Sequence, residues 1–364
     1  MRNEKMATEF KCIGILTAGG DAPGMNAAIR SITRAAIDKG VKVMGIYHGF
    51  KGLVENVEDS VKELSARDVS NIINNGGTML YTARYDEFID VEKQKAAADT
   101  CRRLGIDGVI AIGGDGTFRG AVALANQGIP TIALPATIDN DIISTDYTIG
   151  FDTAVNTTIE MVDRLRDTCE SHARCNVVEV MGRGCGDIAL YAGIATGATI
   201  ILIDEIKFNE NDIFKRINKY KEKGKRNFII MASENVGAKY CEYLHEKIQE
   251  KTGIETKFAR LAHVVRGGAP TLRDRLLGAT MGVKAVDLLL DGKSNLVICE
   301  LDDKIEAVDI EFALAMYRLH KKKTTVEELS QTFTQEQIDA MIARCEEARA
   351  KTETFYKMAE DISK

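Results

Sequence analysis

Two Gly-Gly-Asp turns follow apolar, β-branched segments and have the residue types that a phosphorylated ligand requires. They are Gly19-Gly20-Asp21, after CIGILTA, and Gly113-Gly114-Asp115, after GVIAI. A glycine pair lets the main chain approach a phosphate closely, and the aspartate that follows can reach Mg²⁺ directly or through water. Such a turn can also be simply a tight turn with a helix N-cap, so its interpretation depends on the residues around it.

Two further carboxylates, Asp139 and Asp141, lie two residues apart in LPATIDNDI, behind Pro135. The upstream segment VIAIGGDGTFRGA is typical of a buried strand that runs into a glycine turn and then a helix. The asparagine between the acids indicates a turn, but a turn needs only one such residue. The second acid is therefore not explained by a turn alone.

The elements that must position these residues alternate between strand-like and helix-like segments. Apolar runs such as KCIGILTAGG, RCNVVEVMG and RNFIIMAS are each followed by a helical stretch. Strands bounded by glycine that alternate with helices of about ten to fifteen residues predict an α/β fold with parallel sheets covered on both faces. In such sheets, ligands bind at the carboxyl ends of the strands, where backbone N–H groups and helix N-termini favour anions.

Length and composition are those of a globular protein. The 364 residues fit two domains of ordinary size or one large α/β unit. Hydrophobic residues make up 45% and charged residues 28%. No apolar run reaches the roughly 18 to 20 residues of a membrane span. The N-terminal stretch MRNEKMATEF has no apolar region that would direct export, so we expect a cytoplasmic protein without membrane association.

Net charge, cysteine spacing and the lack of two common motifs exclude further classes. A formal net charge of -6 disfavours nonspecific nucleic-acid binding, which needs a basic surface. The eight cysteines include no C-x-x-C pair, which argues against a zinc site or a disulfide framework and predicts that most are buried. The chain has no G-x-x-x-x-G-K-[ST] loop, and residues 182–187 lack the last glycine of the dinucleotide fingerprint.

Seven motifs together resemble the 6-phosphofructokinase family in their order and approximate spacing. They are GILTAGGDAPGMNAAIR, GGTMLYTARY, IGGDGTFRGA, PATIDNDI, TDYTIGFDTA, VVEVMGRGCGD and HVVRGGAPTLRDR. The resemblance runs from about Cys12 to Leu314 and leaves the residues after Leu314 uncovered. It implies the phosphofructokinase fold, with two doubly wound, Rossmann-like domains of mostly parallel sheet.

The same resemblance implies a domain division and an assembly. The nucleotide-binding domain is expected to comprise residues 1–150 plus about 265–315, and the sugar-phosphate-binding domain residues 151–264 plus about 316–364. Residues 321–364 are predicted to form one or two amphipathic helices that extend the second domain. A homotetramer with shared active sites is implied as well.

The activity that the resemblance implies is the ATP-dependent phosphorylation of fructose 6-phosphate at its 1-hydroxyl, a step of glycolysis. Phosphoryl transfer needs a metal to gather charge, donors aimed at the moving group and a base for the attacking hydroxyl. Asp139 matches the base. Arg84 and Arg183 match cations that bridge the transferred phosphoryl group, and Thr137 matches a hydroxyl donor to it.

Two sets of residues match substrate-binding positions of the family. The nucleotide set is Gly20, Arg84, Tyr85, Gly114, Asp115, Gly116 and Thr117. The sugar-phosphate set is Thr137, Ile138, Asp139, Arg174, Met181, Gly182, Arg183, Glu234, Lys257, His263 and Arg266. Asp115 and Asp141 match residues associated with Mg²⁺ at the phosphates.

Within the sugar-phosphate set, Glu234 matches an acceptor of sugar hydroxyls, while His263 and Arg266 match residues that hold the 6-phosphate. Arg174 matches a residue that reaches this phosphate from a neighbouring subunit. Its usual partner there is a second arginine, but this chain has Lys257, which keeps the charge and loses the bidentate fork.

The adenosine end departs from the family pattern. Ile89 and Gln94 stand in place of basic residues, which leaves Lys93 and Lys95 as substitutes. Tyr85 keeps an aromatic ring at its position.

The residues at the predicted effector site match the family pattern only in part. An anion-binding regulatory pocket between subunits is matched by Arg30, Arg34, Arg166, Lys223, Lys225 and Arg226. The cluster from Lys223 to Arg226 can equally be a solvated basic face. Val57 and Thr199 stand where bacterial relatives commonly have Arg and Glu, so we expect weak or altered control by ADP and phosphoenolpyruvate.

Three functions remain open from the sequence: an ATP-dependent enzyme, a pyrophosphate-dependent enzyme and a silent regulatory homologue. Pyrophosphate-using relatives carry an aspartate after the Gly-Gly-Asp turn and a lysine before TIDND, where this chain has Gly116 and Ala136. These two positions favour ATP. The intact Asp139, Asp115 and Arg183 argue against a silent homologue.

Overall fold

The computed structural model describes residues 10–57 and 59–363. The N-terminal stretch used for the export prediction lies outside this part except for Phe10, as does Lys364 at the end of the predicted extension. The chain divides into two compact units. Unit 1 contains the residues up to Thr137 together with Ile142–Gly150 and Gly268–Cys345, and unit 2 contains Ile138–Asp141, Phe151–Gly267 and the residues from Glu346.

Strands and helices alternate through most of the described residues. The strands are β1 (Cys12–Ala18), β2 (Lys42–Ile46), β3 (Val61–Glu63), β4 (Gly108–Gly113), β5 (Thr131–Pro135), β6 (Cys175–Val180), β7 (Ile200–Leu202), β8 (Phe228–Ser233), β9 (Thr256–Arg260), β10 (Leu296–Leu301) and β11 (Lys304–Asp309). The α-helices are α1 (Met25–Asp38), α2 (Phe50–Glu55), α3 (Val91–Arg103), α4 (Asp115–Asn126), α5 (Phe151–His172), α6 (Asp187–Ala195), α7 (Glu210–Glu222), α8 (Tyr240–Thr252), α9 (Leu272–Leu290), α10 (Ile310–His320), α11 (Val326–Leu329) and α12 (Gln335–Ile362).

Unit 1 is built on a seven-stranded sheet in the order β11-β10-β5-β4-β1-β2-β3. The pairs from β10 to β2 are parallel, and the two edge pairs, β10–β11 and β2–β3, are antiparallel. Every residue of β1, β4 and β5 is buried, as expected for strands with helices on both faces. The continuous apolar runs in the sequence thus become the centre of this sheet.

Unit 2 has a four-stranded, entirely parallel sheet in the order β7-β8-β6-β9. Strands β6 and β8 are buried along their whole length. The long helix predicted after Gly150 is α5, which precedes β6. Both units therefore have the α/β architecture that the alternating pattern predicts.

The C-terminal boundary differs from the prediction, because residues 316–345 belong to unit 1 and not to the second domain. The reason lies in α12, where Ile338, Met341 and Cys345 are buried at helical spacing. The sulfur of Cys345 contacts the carbonyl oxygen of Met316 in α10 at 3.9 Å. The first turns of α12 are therefore part of the core of unit 1.

The cysteines are mostly buried, as the sequence predicts. Seven of the eight cysteines are buried free thiols, and Cys185 is partly exposed. Burial raises the pKa of the Cys101 thiol to about 12, so it behaves as a small apolar side chain. Over the described residues, no helix combines the length and apolar character required to cross a membrane.

Candidate active site

The two Gly-Gly-Asp turns lie at the carboxyl ends of adjacent strands. β1 pairs with β2 on one side and with β4 on the other, so the chain reverses its direction of travel across the sheet here. Open α/β sheets bind ligands at such switch points. Because α4 begins at Asp115, its first N–H groups lie at the same end of the sheet, where they favour an anion.

Thr117 fixes the spacing of the two turns. Its hydroxyl donates a hydrogen bond of 3.0 Å to the carbonyl oxygen of Ala18, and its side chain is buried. A Cβ atom on Gly113 would lie 2.4 Å from that carbonyl oxygen and 2.3 Å from the Thr117 hydroxyl. The Thr117 hydroxyl therefore contacts protein, and the residue's predicted contact with nucleotide stays a prediction.

The segment that carries Arg84 is bound to the first turn and to α1. The Asn26 side chain donates to the carbonyl oxygen of Asn75 at 3.1 Å and accepts from the N–H of Met79 at 2.8 Å. The Thr82 hydroxyl donates to the carbonyl oxygen of Gly19 at 2.8 Å. Arg84 is exposed and makes no ion pair with any residue in the described ranges.

Asn26 was not identified from the sequence as a residue that positions this segment. Its signal was a polar side chain among small apolar residues of a helix that packs on a sheet, and the structure shows it 3% exposed. Buried polar groups are normally hydrogen-bonded, so such a position predicts a specific partner.

The lysines predicted to replace missing basic residues at the adenosine end both bind neighbouring acids. Lys93 pairs with Glu87 and lies 5.3 Å from the centre of the Tyr85 ring. Lys95 pairs with Glu92 at 2.7 Å. A nucleotide would have to compete with these exposed pairs, which are worth little in water.

The loop Ile138–Asp141 holds both acids of the TIDND motif within unit 2. Asp139 is 3% exposed and Asp141 is 7% exposed. Asn140 has a left-handed backbone with φ 53°, and its side-chain amide donates to the Asp187 carboxylate, at the start of α6, at 2.9 Å. The asparagine thus supplies the turn and anchors it, with one buried acid on each side.

Thr137 and Ile138 lie on either side of the division between the units. Thr137 is the last residue of this stretch of unit 1, is 9% exposed and accepts a hydrogen bond at its carbonyl oxygen from the Thr148 hydroxyl. Ile138, predicted as a substrate-binding residue, is fully buried. Its side chain therefore packs in the protein, and only its backbone remains a candidate for contact with substrate.

Four predicted sugar-phosphate residues meet at the carboxyl ends of β6 and β8. One Glu234 carboxylate oxygen accepts from the N–H of Gly182 at 3.2 Å and from the N–H of Arg183 at 3.1 Å. A Cβ on Gly182 would lie 2.2 Å from the carbonyl oxygen of Cys185, so this position requires glycine. Met181 is half-buried beside them, and the Arg183 side chain is exposed.

Glu205 supports the end of this loop and was not identified from the sequence. Its carboxylate accepts from the N–H of Gly186 at 2.8 Å. Burial raises the pKa of Glu205, and the Gly186 hydrogen bond opposes that rise. The sequence carries no signal for this role, because Gly186 lies 19 residues from Glu205 and only the folded chain joins them.

Arg174 and Lys257, predicted to act at a neighbouring subunit, share one acid of their own chain. Arg174 binds Glu255 at 2.7 Å, and Lys257 binds its other carboxylate oxygen at 2.9 Å. Hydrogen bonds from Arg174 and then from Lys257 lower the pKa of Glu255 to about 2. Glu255 therefore stays ionised at neutral pH and orients both cations.

The 6-phosphate residues lie on a short 3₁₀-helix, Ala262–Arg266. His263 is exposed and Arg266 is half-buried. The neighbouring Arg260 binds Glu179 at 2.5 Å and Glu242 at 2.9 Å. Arg260 is thus engaged in ion pairs within unit 2.

The predicted effector residues are distributed over both units. In unit 2, Arg166 donates to the Thr196 carbonyl oxygen and to Asn227 at 3.3 Å. Lys225 has a lowered pKa because it is partly buried and lies near Arg166 and Arg216. Arg216 in turn pairs with Glu360 at 3.4 Å, so part of this positive charge is balanced within unit 2.

The other predicted effector residues are more exposed or lie in unit 1. Arg226 lies 3.8 Å from Glu170, Lys223 is exposed, and Arg34 donates to the carbonyl oxygen of Ala66 at 3.4 Å. Arg30 is half-buried in α1. Val57 and Thr199, which stand where bacterial relatives commonly have Arg and Glu, also differ in exposure. Val57 is 61% exposed, whereas Thr199 is buried.

The donor chemistry of the predicted metal residues fits Mg²⁺. Asp115 and Asp141 each offer a buried carboxylate, and Asp115 also binds Arg119 at 3.0 Å. Mg²⁺ is usually held by one or two carboxylates together with substrate phosphates and water. No cluster of three or more potential metal ligands occurs among the described residues, so a dedicated protein cage is not the arrangement seen there.

The described residues form an α/β protein with two glycine turns at the carboxyl ends of adjacent strands, a loop with two buried acids and a set of exposed arginines. The family model for phosphofructokinase matches residues 12–289. This chain belongs to the phosphofructokinase family. The family resemblance and the fold expected from the seven motifs are thereby confirmed.

Two similar proteins support the assignment to that family. An ATP-dependent 6-phosphofructokinase of Clostridium novyi (strain NT) is 49% identical over 307 residues, which cover 84% of this chain and 95% of the relative. Phosphofructokinase from Saccharomyces cerevisiae has a TM-score of 0.82 and 31% identity, covering 92% of this chain and 48% of that one. This chain thus spans about half the length of the yeast chain.

The third comparison shows the fold alone. A pyrophosphate-dependent phosphofructokinase from Marinobacter aquaeolei has a TM-score of 0.73 but only 21% identity, with 83% of each chain covered.

Proposed function

We propose that this chain transfers the terminal phosphoryl group of ATP to the 1-hydroxyl of fructose 6-phosphate and gives ADP and fructose 1,6-bisphosphate. The observation that carries the proposal is the pair of glycine turns at the switch point of the seven-stranded sheet, with glycine at position 116. The reaction is a step of glycolysis, and a cytoplasmic location is part of the proposal.

Asp139 takes the proton of the attacking hydroxyl. Its carboxylate is held in a loop that Asn140 anchors to α6, so its position is set before substrate arrives. A positioned carboxylate within hydrogen-bond reach of the hydroxyl acts as a general base.

Charge on the transferred group is met by two arginines and a threonine. Arg84 and Arg183 are exposed, and their guanidinium groups suit the phosphoryl oxygens. Thr137 donates a hydrogen bond to the same group, and the backbone of Gly20, Gly114 and Gly116 faces the other phosphates. Asp115 and Asp141 would hold Mg²⁺, which would neutralise charge on the phosphates.

The sugar phosphate is bound by unit 2 and the nucleotide by unit 1. Glu234 uses one carboxylate oxygen for the N–H groups of Gly182 and Arg183, and its other oxygen accepts sugar hydroxyls. His263 and Arg266 hold the 6-phosphate, because both are cationic or hydrogen-bonding side chains on one short helix.

Two parts of the proposal concern the assembly. Arg174 and Lys257 reach the 6-phosphate of a neighbouring subunit in a homotetramer. Within their own chain, Glu255 pairs with both of them. The basic residues around Arg166 and Lys225, together with Arg30 and Arg34, bind an anionic effector. The changed residues Val57 and Thr199 weaken control by ADP and phosphoenolpyruvate.

ATP is proposed as the donor because of the surroundings of Gly116. The nearest atom that a Cβ there would meet is the end of Arg119, at 3.8 Å, so the position is open. Ala136 stands where pyrophosphate-using relatives carry a lysine and is 1% exposed. The chain thus has neither the aspartate that would obstruct ATP at position 116 nor the lysine that would bind pyrophosphate at position 136.

A coupled assay tests this proposal directly. The purified protein is given fructose 6-phosphate and Mg²⁺ with either ATP or pyrophosphate, and fructose 1,6-bisphosphate is measured. We expect turnover with ATP and negligible turnover with pyrophosphate. A kcat/KM with pyrophosphate equal to or above that with ATP would overturn the choice of donor, and no product with either would overturn the activity.

A further inference from the structure

Helix α12 begins at Gln335, beyond residues 12–289 that the family model matches. Its first turns are nevertheless packed in unit 1, where Ile338 and Met341 are fully buried. A segment that only extended the chain would not need this burial.

Arg344 is the residue of α12 that contacts the chain next to the acidic loop. Its Nε donates to the carbonyl oxygen of Ile143 at 3.0 Å, and its Nη2 binds the Asp146 carboxylate at 2.5 Å. Both partners follow Asp141 within five residues. The Arg344 and Asp146 side chains are only 20% and 23% exposed, so the pair is screened less than a surface ion pair.

The same turn is held on another side by the β10–β11 hairpin. The other Asp146 carboxylate oxygen accepts from the N–H of Asp302 at 2.9 Å, and the Asp146 N–H donates to the carbonyl oxygen of Glu300 at 2.8 Å. Thr145 and Glu300 exchange two further hydrogen bonds. Asp146 is thus fixed at its backbone and at both carboxylate oxygens.

Arg273 of α9 adds a third contact. Its guanidinium lies 3.7 Å from the centre of the Tyr147 ring and binds Glu300 at 3.1 Å. Residues 143–147 are therefore enclosed by α9, the β10–β11 hairpin and α12. Of these, α12 and the hairpin lie outside the residues matched by the family model.

We propose that Arg344 is a positioning residue for phosphoryl transfer. By binding Ile143 and Asp146 it fixes the chain that directly follows the loop carrying Asp139 and Asp141. Ile143 lies two residues after Asp141 and four after Asp139. The C-terminal helix α12 then contributes to catalysis, because it carries the residue that positions the acidic loop. This inference rests on the proposed function for its kinetic test, but its structural test is independent.

The kinetic test compares Arg344→Gln with Arg349→Gln, a matched change on the same helix. Arg349 is exposed and makes no ion pair in the described structure. We expect Arg344→Gln to lower kcat by about 10²-fold while the KM for both substrates stays close to wild type, since small displacements of a catalytic group have effects of this size. Arg344→Lys should recover part of the loss, and Arg349→Gln should leave kcat unchanged.

Hydrogen exchange supplies the measurement that does not depend on activity. Amides of residues 138–147 should exchange faster in Arg344→Gln than in wild type or Arg349→Gln, with the β6 and β8 amides unchanged. A wild type without activity would refute the proposed function while leaving this comparison intact. Unchanged exchange in 138–147, or a lower thermal midpoint with wild-type kcat, would overturn the positioning role.

Discussion

At the residue scale, the proposal that ATP is the phosphoryl donor depends on position 116, where this chain has glycine and pyrophosphate-using relatives carry an aspartate. Gly116 is the second residue of α4, and the space around its α-carbon is open apart from the end of Arg119. An acid placed there would fit without displacing the protein. Any effect of such a change would therefore arise from its charge near the nucleotide phosphates and not from misfolding.

We predict that Gly116→Asp lowers kcat/KM for ATP by about 10²-fold or more, because like charges brought together cost several kcal/mol. Gly116→Ala tests size without charge and should retain most activity. Ala136→Gly should also change ATP use little. The measurement is kcat/KM for ATP at saturating fructose 6-phosphate, and the thermal midpoint of each variant shows whether it is folded. Equal losses in the alanine and aspartate variants would assign the effect to size.

At the element scale, the loop after β5 shows what sequence patterns can and cannot reveal. The turn at Asn140, and a second acid that a turn alone does not explain, were recognised in LPATIDNDI. The anchor of the loop was not, because Asp187 lies 47 residues from Asn140 and only the folded chain joins them. The same holds for the pair of Glu255 with Arg174 and for the pair of Arg344 with Asp146, because tertiary packing brings these distant residues together.

Two substitutions of Asn140 separate the effect of its hydrogen bond to Asp187 from the effect of its left-handed backbone. Asn140→Gly keeps access to the left-handed backbone but loses the hydrogen bond to Asp187, whereas Asn140→Ala loses both. We predict that kcat falls by about 10-fold or more in each. Only the alanine variant should lose a further ~1–2 kcal/mol in urea unfolding. Wild-type kcat in Asn140→Gly would show that the hydrogen bond does not position the acids.

At the scale of the whole molecule, the division into units follows packing and not the order of motifs. The seven-stranded sheet takes in β10 and β11 from the end of the chain, and residues up to Cys345 stay with it. The alternation of strands and helices predicted the fold class. It could not predict where the C-terminal helices pack, since an amphipathic pattern shows that a face is buried without naming its partner.

Subunit exchange tests whether active sites are shared in the assembly. We predict that Arg174→Ala and Asp139→Asn proteins, each nearly inactive alone, regain partial activity after mixing and exchange. Mixed sites would then combine an intact Asp139 from one chain with an intact Arg174 from another. Exchange is verified by mass spectrometry of differently tagged chains. Verified exchange without recovery would show that Arg174 serves its own subunit.

The most direct test of the account is the turnover of Asp139→Asn with ATP and fructose 6-phosphate. The substitution keeps the size of a side chain that is 3% exposed and removes its ability to accept the proton. We expect kcat to fall by roughly 10²- to 10⁴-fold, the range for a positioned general base, with both KM values near wild type. A variant that loses affinity but keeps its turnover would contradict it.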